Sequence, residues 1–145
     1  MRFPRLVAVA AAALPALLAT MAAAAEPHWP ATARLYIISP RNGDVITGPV
    51  RVVMGLSGLG VAPAGVDKPN TGHHHILVDA PAPSGDELNA PMPATDNLKH
   101  FGGGQTETNL TLPPGKHTIQ LILGDQNHIP HNPPLVSEVI TITVK

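Results

Sequence analysis

The 145-residue chain has no cysteine, and its aromatic residues number two Phe, one Trp and one Tyr. Without cysteine there is no disulfide scaffold, thiol redox site, thiolate-held zinc finger or iron–sulfur cluster. Charge is scarce as well: nine basic against ten acidic side chains leave a formal charge of -1. Near-neutrality and so few stacking rings argue against the basic, aromatic-lined face of a nucleic-acid binder, and no nucleic-acid partner is expected. No long apolar period of 3.6 residues appears after residue 26, which predicts almost no helix. H-E-x-x-H, G-x-S-x-G and P-loop signatures are missing too, so no catalytic residue is assigned and a non-enzyme is favoured.

What the chain has instead is histidine, proline and glycine: eight, 17 and 13 residues respectively. All eight histidines follow an N-terminal segment with its own pattern. Arg2 and Arg5 give it a positive start, Leu6 to Leu18 are apolar apart from Pro15, and Ala22 to Ala25 precede Glu26. This pattern predicts a secretory signal peptide, residues 1–25, cleaved at Ala25/Glu26. The apolar run is short for a bilayer core of roughly 30 Å, so no membrane span is expected once it is removed. Loss of the two arginines takes the formal charge from -1 to -3. The remainder is enough for one domain, with a periplasmic or secreted location.

Beyond an extended leader, residues 26–33, short stretches of period two alternate with turn chemistry. The expected strands are Arg34 to Ser39, Asp44 to Thr47, Val50 to Leu56, His74 to Asp79, Thr106 to Leu112, Lys116 to Gly124 and Ser137 to Val144. Residues Ser57 to Gly72 read as a loop, and Ala80 to Asn97 as a proline-rich connection. About seven strands and no helices predict an all-β fold over residues 34–145, an immunoglobulin-like antiparallel β-sandwich with long Pro/Gly-rich loops. Its core would be Val, Ile and Leu, with Val52 and Met54 on one apolar face.

His117 follows Pro113-Pro114-Gly115-Lys116 and shares a face with Ile119 and Leu121. That places it where such sandwiches carry a corner residue hydrogen-bonded back to the backbone, so its expected role is structural. Three consecutive histidines at a strand entry must alternate between faces. His73 and His75 share one side, about 7 Å apart at Cα, while His74 follows Ile76 and Val78 inward. His100 precedes three glycines, which read as a tight bend needing positive φ. His128 and His131 flank Ile129-Pro130, and the proline rules out a helical H-x-x-H pair, leaving convergence to turn geometry.

In an immunoglobulin-like sandwich the loop before the third strand and the loop between the last two strands lie at one end, which brings His73 to His75 near His128 and His131. The long irregular segment carrying His100 can fold over that end. His73, His75, His100, His128 and His131 are therefore the candidate metal ligands, with Asp125 and Glu107 as possible carboxylate partners. Imidazole without thiolate suits copper or zinc, and Met92 is a possible soft ligand. His28 is assigned no site, because cleavage directly before it would break the small-residue rule.

The stretches Gly72-His73-His74-His75, His100-Phe101-Gly102-Gly103-Gly104-Gln105-Thr106-Glu107, Pro114-Gly115-Lys116-His117-Thr118 and Gly124-Asp125 through His131 resemble a family of small exported bacterial proteins described as a domain of unknown function. The resemblance spans roughly residues 34 to 145 and implies a periplasmic β-rich domain without an assigned activity. The sandwich with histidines also looks distantly similar to periplasmic copper carriers and to copper–zinc superoxide dismutase, although the cysteine pair of the latter is missing here. The expected function is binding of a copper or zinc ion by the loop-end histidines. The alternative is a non-catalytic interaction module that takes a small polar ligand, a cell-wall component or a partner protein not identified by the sequence. A metal hydrolase with Glu107 or Asp125 as base ranks third.

Overall fold

The computed structural model describes residues 26–145; the expected signal peptide lies outside them. Nine strands are present among the described residues: β1 (Arg34–Ser39), β2 (Val45–Ile46), β3 (Val50–Ser57), β4 (Gly60–Val61), β5 (Thr71–Val78), β6 (Leu98–His100), β7 (Glu107–Leu110), β8 (Gly115–Gly124) and β9 (Ile140–Val144). The order β1-β3-β7 makes one sheet, and β2-β9-β8-β5-β4 makes the other, with β6 also paired to β5. The fold is an all-β, immunoglobulin-like sandwich. Its long pairs are antiparallel, and two short edge pairs, β2 with β9 and β4 with β5, are parallel.

Period-two patterning decides which side chains enter the core. From the three-stranded sheet come Leu35, Val50, Val52, Met54 and Leu110. They meet Ile76, Val78, Ile119, Leu121, Leu123, Ile140, Ile142 and Val144 of the larger sheet. The outward parity of β5 and β8 is also apolar in part: Leu77 and Ile122 form a second cluster with Met92 and Leu98. Two layers therefore cover the larger sheet, the other sheet inside and the proline-rich connection outside. That connection contains the one departure from strand and loop, a short 3-10 turn at Gly85–Asn89.

Two strands lie where period-two reading gives no signal. The Ser57 to Gly72 stretch contains β4, which pairs Gly60 with Thr71 and Val61 with Gly72. His100, expected in an irregular segment, ends β6 and sits directly opposite His75. Strands of two or three residues are too short to show a repeat, and here they follow from the free edge of β5. The leader is also fastened down. Trp29 is buried in the core and donates from Nε1 to the carbonyl of Pro130 at 2.7 Å.

His117 is a corner residue, as its position predicts. Its Nε2 donates to the Pro113 carbonyl at 2.8 Å and its Nδ1 to Asp79 Oδ2 at 2.7 Å. Two acceptors call for two N–H donors, which only the imidazolium has. The Asp79 hydrogen bond first, and the Pro113 carbonyl second, raise the His117 pKa against the effect of burial. Burial pulls the Asp79 carboxyl upward, but His117 and the Thr118 N–H outweigh it and hold it below its usual value.

Candidate metal centre

Strand β5 delivers His73, His74 and His75 with the parity their spacing requires. His74 points into the sandwich with Ile76, while His73 and His75 point outward with Leu77. His75 meets His100 across the β5–β6 pair, and His73 lies opposite Gly124 of β8. The turn after β8 then brings His128 over the same face, helped by its left-handed backbone at φ 66°. Met92 of the arch donates its backbone N–H to the His128 carbonyl at 2.9 Å and pins that turn in place.

The four rings share one space. His73 Nε2 lies 3.0 Å from His128 Nδ1 and 3.2 Å from His100 Nε2. One nitrogen from each of His73, His75, His100 and His128 falls within 4.8 Å of all the others. For metal–nitrogen bonds of about 2.0–2.1 Å, neighbouring ligands sit about 3.3 Å apart in a tetrahedron. In a planar arrangement the neighbours are about 2.9 Å apart. The two separations from His73 lie between these values, the spacing of neighbouring ligands around a single metal ion.

Burial sets the electrostatics. His73 and His75 are fully buried, His128 is half-buried and His100 is exposed, so the cluster opens to solvent at one side. His73 Nδ1 and both ring nitrogens of His75 are enclosed without a hydrogen-bond partner. Desolvation first, then the neighbouring imidazoles His128 and His100, push His73 down to about 4. Desolvation, followed by His73, His100 and His128, takes His75 down to about 3. Burial and His128 lower His100. Neutral imidazoles with exposed lone pairs are the form a metal requires.

Two glycines make this crowding possible. A Cβ on Gly124 would stand 2.7 Å from His75 Cε1 and 3.2 Å from both His128 Cα and Met92 Cε, and a Cβ on Gly102 would overlap the His100 ring. Neither glycine has a positive φ; their value here is the room they leave. The bend expected of the triple glycine resides at Gly104, with φ of 79°.

A family model described as a domain of unknown function, DUF4399, matches residues 52–145. The chain belongs to that family. The match includes all four clustered histidines, Asp125 and His131, but stops short of His28. No curated protein matches the chain. Among solved structures, fibronectin(III)-like modules of Clostridium thermocellum CbhA align at 12% identity with a TM-score of 0.37, over 76% of this chain and 92% of that one.

The DUF4399 chain keeps its other sequence candidates away from the four-histidine group. His131, expected with the rest, lies instead against His28 and Asp125, its Nε2 donating to Asp125 Oδ2 at 2.8 Å. Left-handed positions at both His128 and His131, three residues apart, bend the chain between the two rings. His28, assigned no site from sequence, stacks on His131 with ring centroids 3.5 Å apart and planes within 7°. Its one signal in the sequence is the adjacent Trp29, the chain's single tryptophan, lying between His28 and Pro30. Glu107 is held on the outside of the other sheet by Arg51 at 2.6 Å. Met92 is buried with Leu77, Leu98 and Ile122 and flanks His75 through the space above Gly124. It also lines a cavity of about 610 Å³ between the proline-rich connection, which arches over the sheet, and the outer face of the larger sheet, with Leu77, Ala82, Pro83, Pro91 and Leu98.

Proposed function

We propose that this protein binds a copper or zinc ion through His73, His75, His100 and His128 and handles it outside the cytoplasm, in the periplasm or after secretion. The observation that carries the reading is convergence of four ring nitrogens that includes the buried His75, neither of whose own nitrogens has a hydrogen-bond partner. An enclosed unpaired polar group costs about 1–3 kcal/mol, and an ion removes that cost for each nitrogen it takes. The signal-peptide pattern of residues 1–25 supports the location.

Carriage or storage fits better than hydrolysis. The metal-ion group of histidines includes no carboxylate. Glu107 is engaged by Arg51 on the other sheet. Both oxygens of Asp125 are occupied, Oδ1 by the N–H groups of Asn127 and Ile129 and Oδ2 by His131. Neither carboxylate is thus free to activate water on an ion held by the four histidines.

Tag-free protein purified from the periplasm, assayed for metal content and titrated with Zn(II) and Cu(II) against a competing chelator, tests the reading. One tight equivalent is expected, weakened at least tenfold by His75→Ala and by His128→Ala. No tight binding by the unmutated protein overturns it. The 610 Å³ apolar cavity favours a second reading, an interaction module whose ligand or partner rests beneath the arch. That reading gains if metal binding fails while Leu98→Asp or Ala82→Asp abolishes a function of the protein in cells.

A further inference from the structure

We propose that His28, Asp125 and His131 form a second cation site, a buried carboxylate flanked by two imidazoles at the surface, suited to an exchangeable divalent transition-metal ion such as Cu(II) or Zn(II). One donor atom from each residue falls within 4.8 Å of the other two. The site shares no residue with the four-histidine group and does not depend on it.

Each ligand is positioned by a different part of the fold. Asp125 is 4% exposed, and its Oδ1 is fixed by the backbone N–H groups of Asn127 and Ile129 at 2.8 and 2.9 Å. This orients Oδ2 toward His131. His131 is placed by its left-handed backbone, φ 63°, a conformation that among non-glycine residues asparagine, aspartate and histidine adopt most readily. His28 is placed by its neighbour: Trp29 is anchored in the core and bonded to Pro130, the residue before His131. That hydrogen bond ties the segment carrying His28 to the turn carrying His131.

The geometry suits exchange of a proton for an ion. His131 Nε2 and Asp125 Oδ2 are 2.8 Å apart, close to the roughly 2.9 Å that separates adjacent ligands at a right angle with bonds of about 2.0–2.1 Å. An ion between them replaces the proton they now share. The stacked His28 ring is exposed and can rotate to supply the third donor, leaving the remaining positions to water or an incoming ligand. A two-histidine, one-carboxylate face with open positions has this donor set. Partial coordination on the surface makes this ion easier to exchange than one enclosed by four imidazoles.

The test is equilibrium dialysis of the chain beginning at Glu26 with Cu(II) and, separately, Zn(II), with bound metal counted for the unmutated protein, His28→Ala, His131→Asn and His75→Ala. Asparagine tolerates the left-handed backbone at 131, and urea unfolding of each variant checks its fold. The expected result is a weaker equivalent, reduced at least tenfold in affinity by His28→Ala and by His131→Asn and retained in His75→Ala. It should be retained there even if the four-histidine group binds nothing, which separates the two proposals. The inference is overturned if the unmutated protein lacks this equivalent, or if folded His131→Asn keeps it, since the latter would assign the ion to the chain's amino group and His28 alone.

Discussion

Replacing Gly124 with alanine perturbs the four-histidine group without removing a ligand. The new methyl would stand 2.7 Å from His75 Cε1, whereas carbon atoms pack comfortably at about 3.5 Å, so the ring must retreat by roughly 0.8 Å. His128 Cα blocks one escape at 3.2 Å, and the backbone there is held by Met92. Metal–ligand distances tolerate only about 0.2 Å, so His75 leaves the coordination sphere or drags the site with it. The expected loss in metal affinity is about 10–100-fold, and overpacking lowers the stability of the metal-free protein by about 1–3 kcal/mol. Gly60→Ala is the matched control, because its methyl meets Thr71 Cγ2 at 3.5 Å and the Asn70 carbonyl oxygen at 4.0 Å, both ordinary contact distances. Competition titration and urea unfolding read the two quantities separately. Gly124→Ala with affinity and stability equal to Gly60→Ala would refute the packing argument.

Three further outcomes follow from the same geometry. His74 is enclosed with neither ring nitrogen bonded, and burial pushes it down to about 4; His74→Leu should raise the stability of the metal-free protein by about 1–2 kcal/mol and leave metal affinity within threefold, whereas a loss of stability in urea contradicts this. The raised His117 pKa means its pairing stabilises the fold fully below pH 6.5 and fades as pH rises through the higher folded value; the lowered Asp79 value means its share is present above pH 3.8 and fades as pH falls through the folded value. The stability gap between unmutated protein and His117→Gln should thus be widest between about pH 4 and 6.5, and an NMR titration placing His117 below 6.5 would reverse the sign. Trp29→Ala should cost about 3 kcal/mol or more and release the leader, read as loss of the His28–His131 contact by NMR.

The long strands were legible because period-two burial is written directly into them: Val50, Val52 and Met54, or Ile140, Ile142 and Val144, cannot all face inward in any other register. The same parity separated His74 from His73 and His75. Pairing of β4 and β6 on one edge of β5 was not legible, since two or three residues carry no period. Nor was the separation of His128 from His131, which rests on two left-handed backbone positions that no glycine announces. The docking of His28 is tertiary, fixed by Trp29 and a carbonyl some hundred residues away. Gly102 and Gly124 read as bends or strand ends; their use as space for imidazole rings emerges only when the rings are in place.

X-ray absorption of the protein loaded with one equivalent of Zn(II) tests the central claim most directly, because outer-shell scattering counts imidazoles. Binding by His73, His75, His100 and His128 predicts three or four imidazole nitrogens at about 2.0–2.1 Å, falling by one in His75→Ala. A first shell of mostly oxygen with one imidazole or none, or no bound zinc to measure, would contradict it.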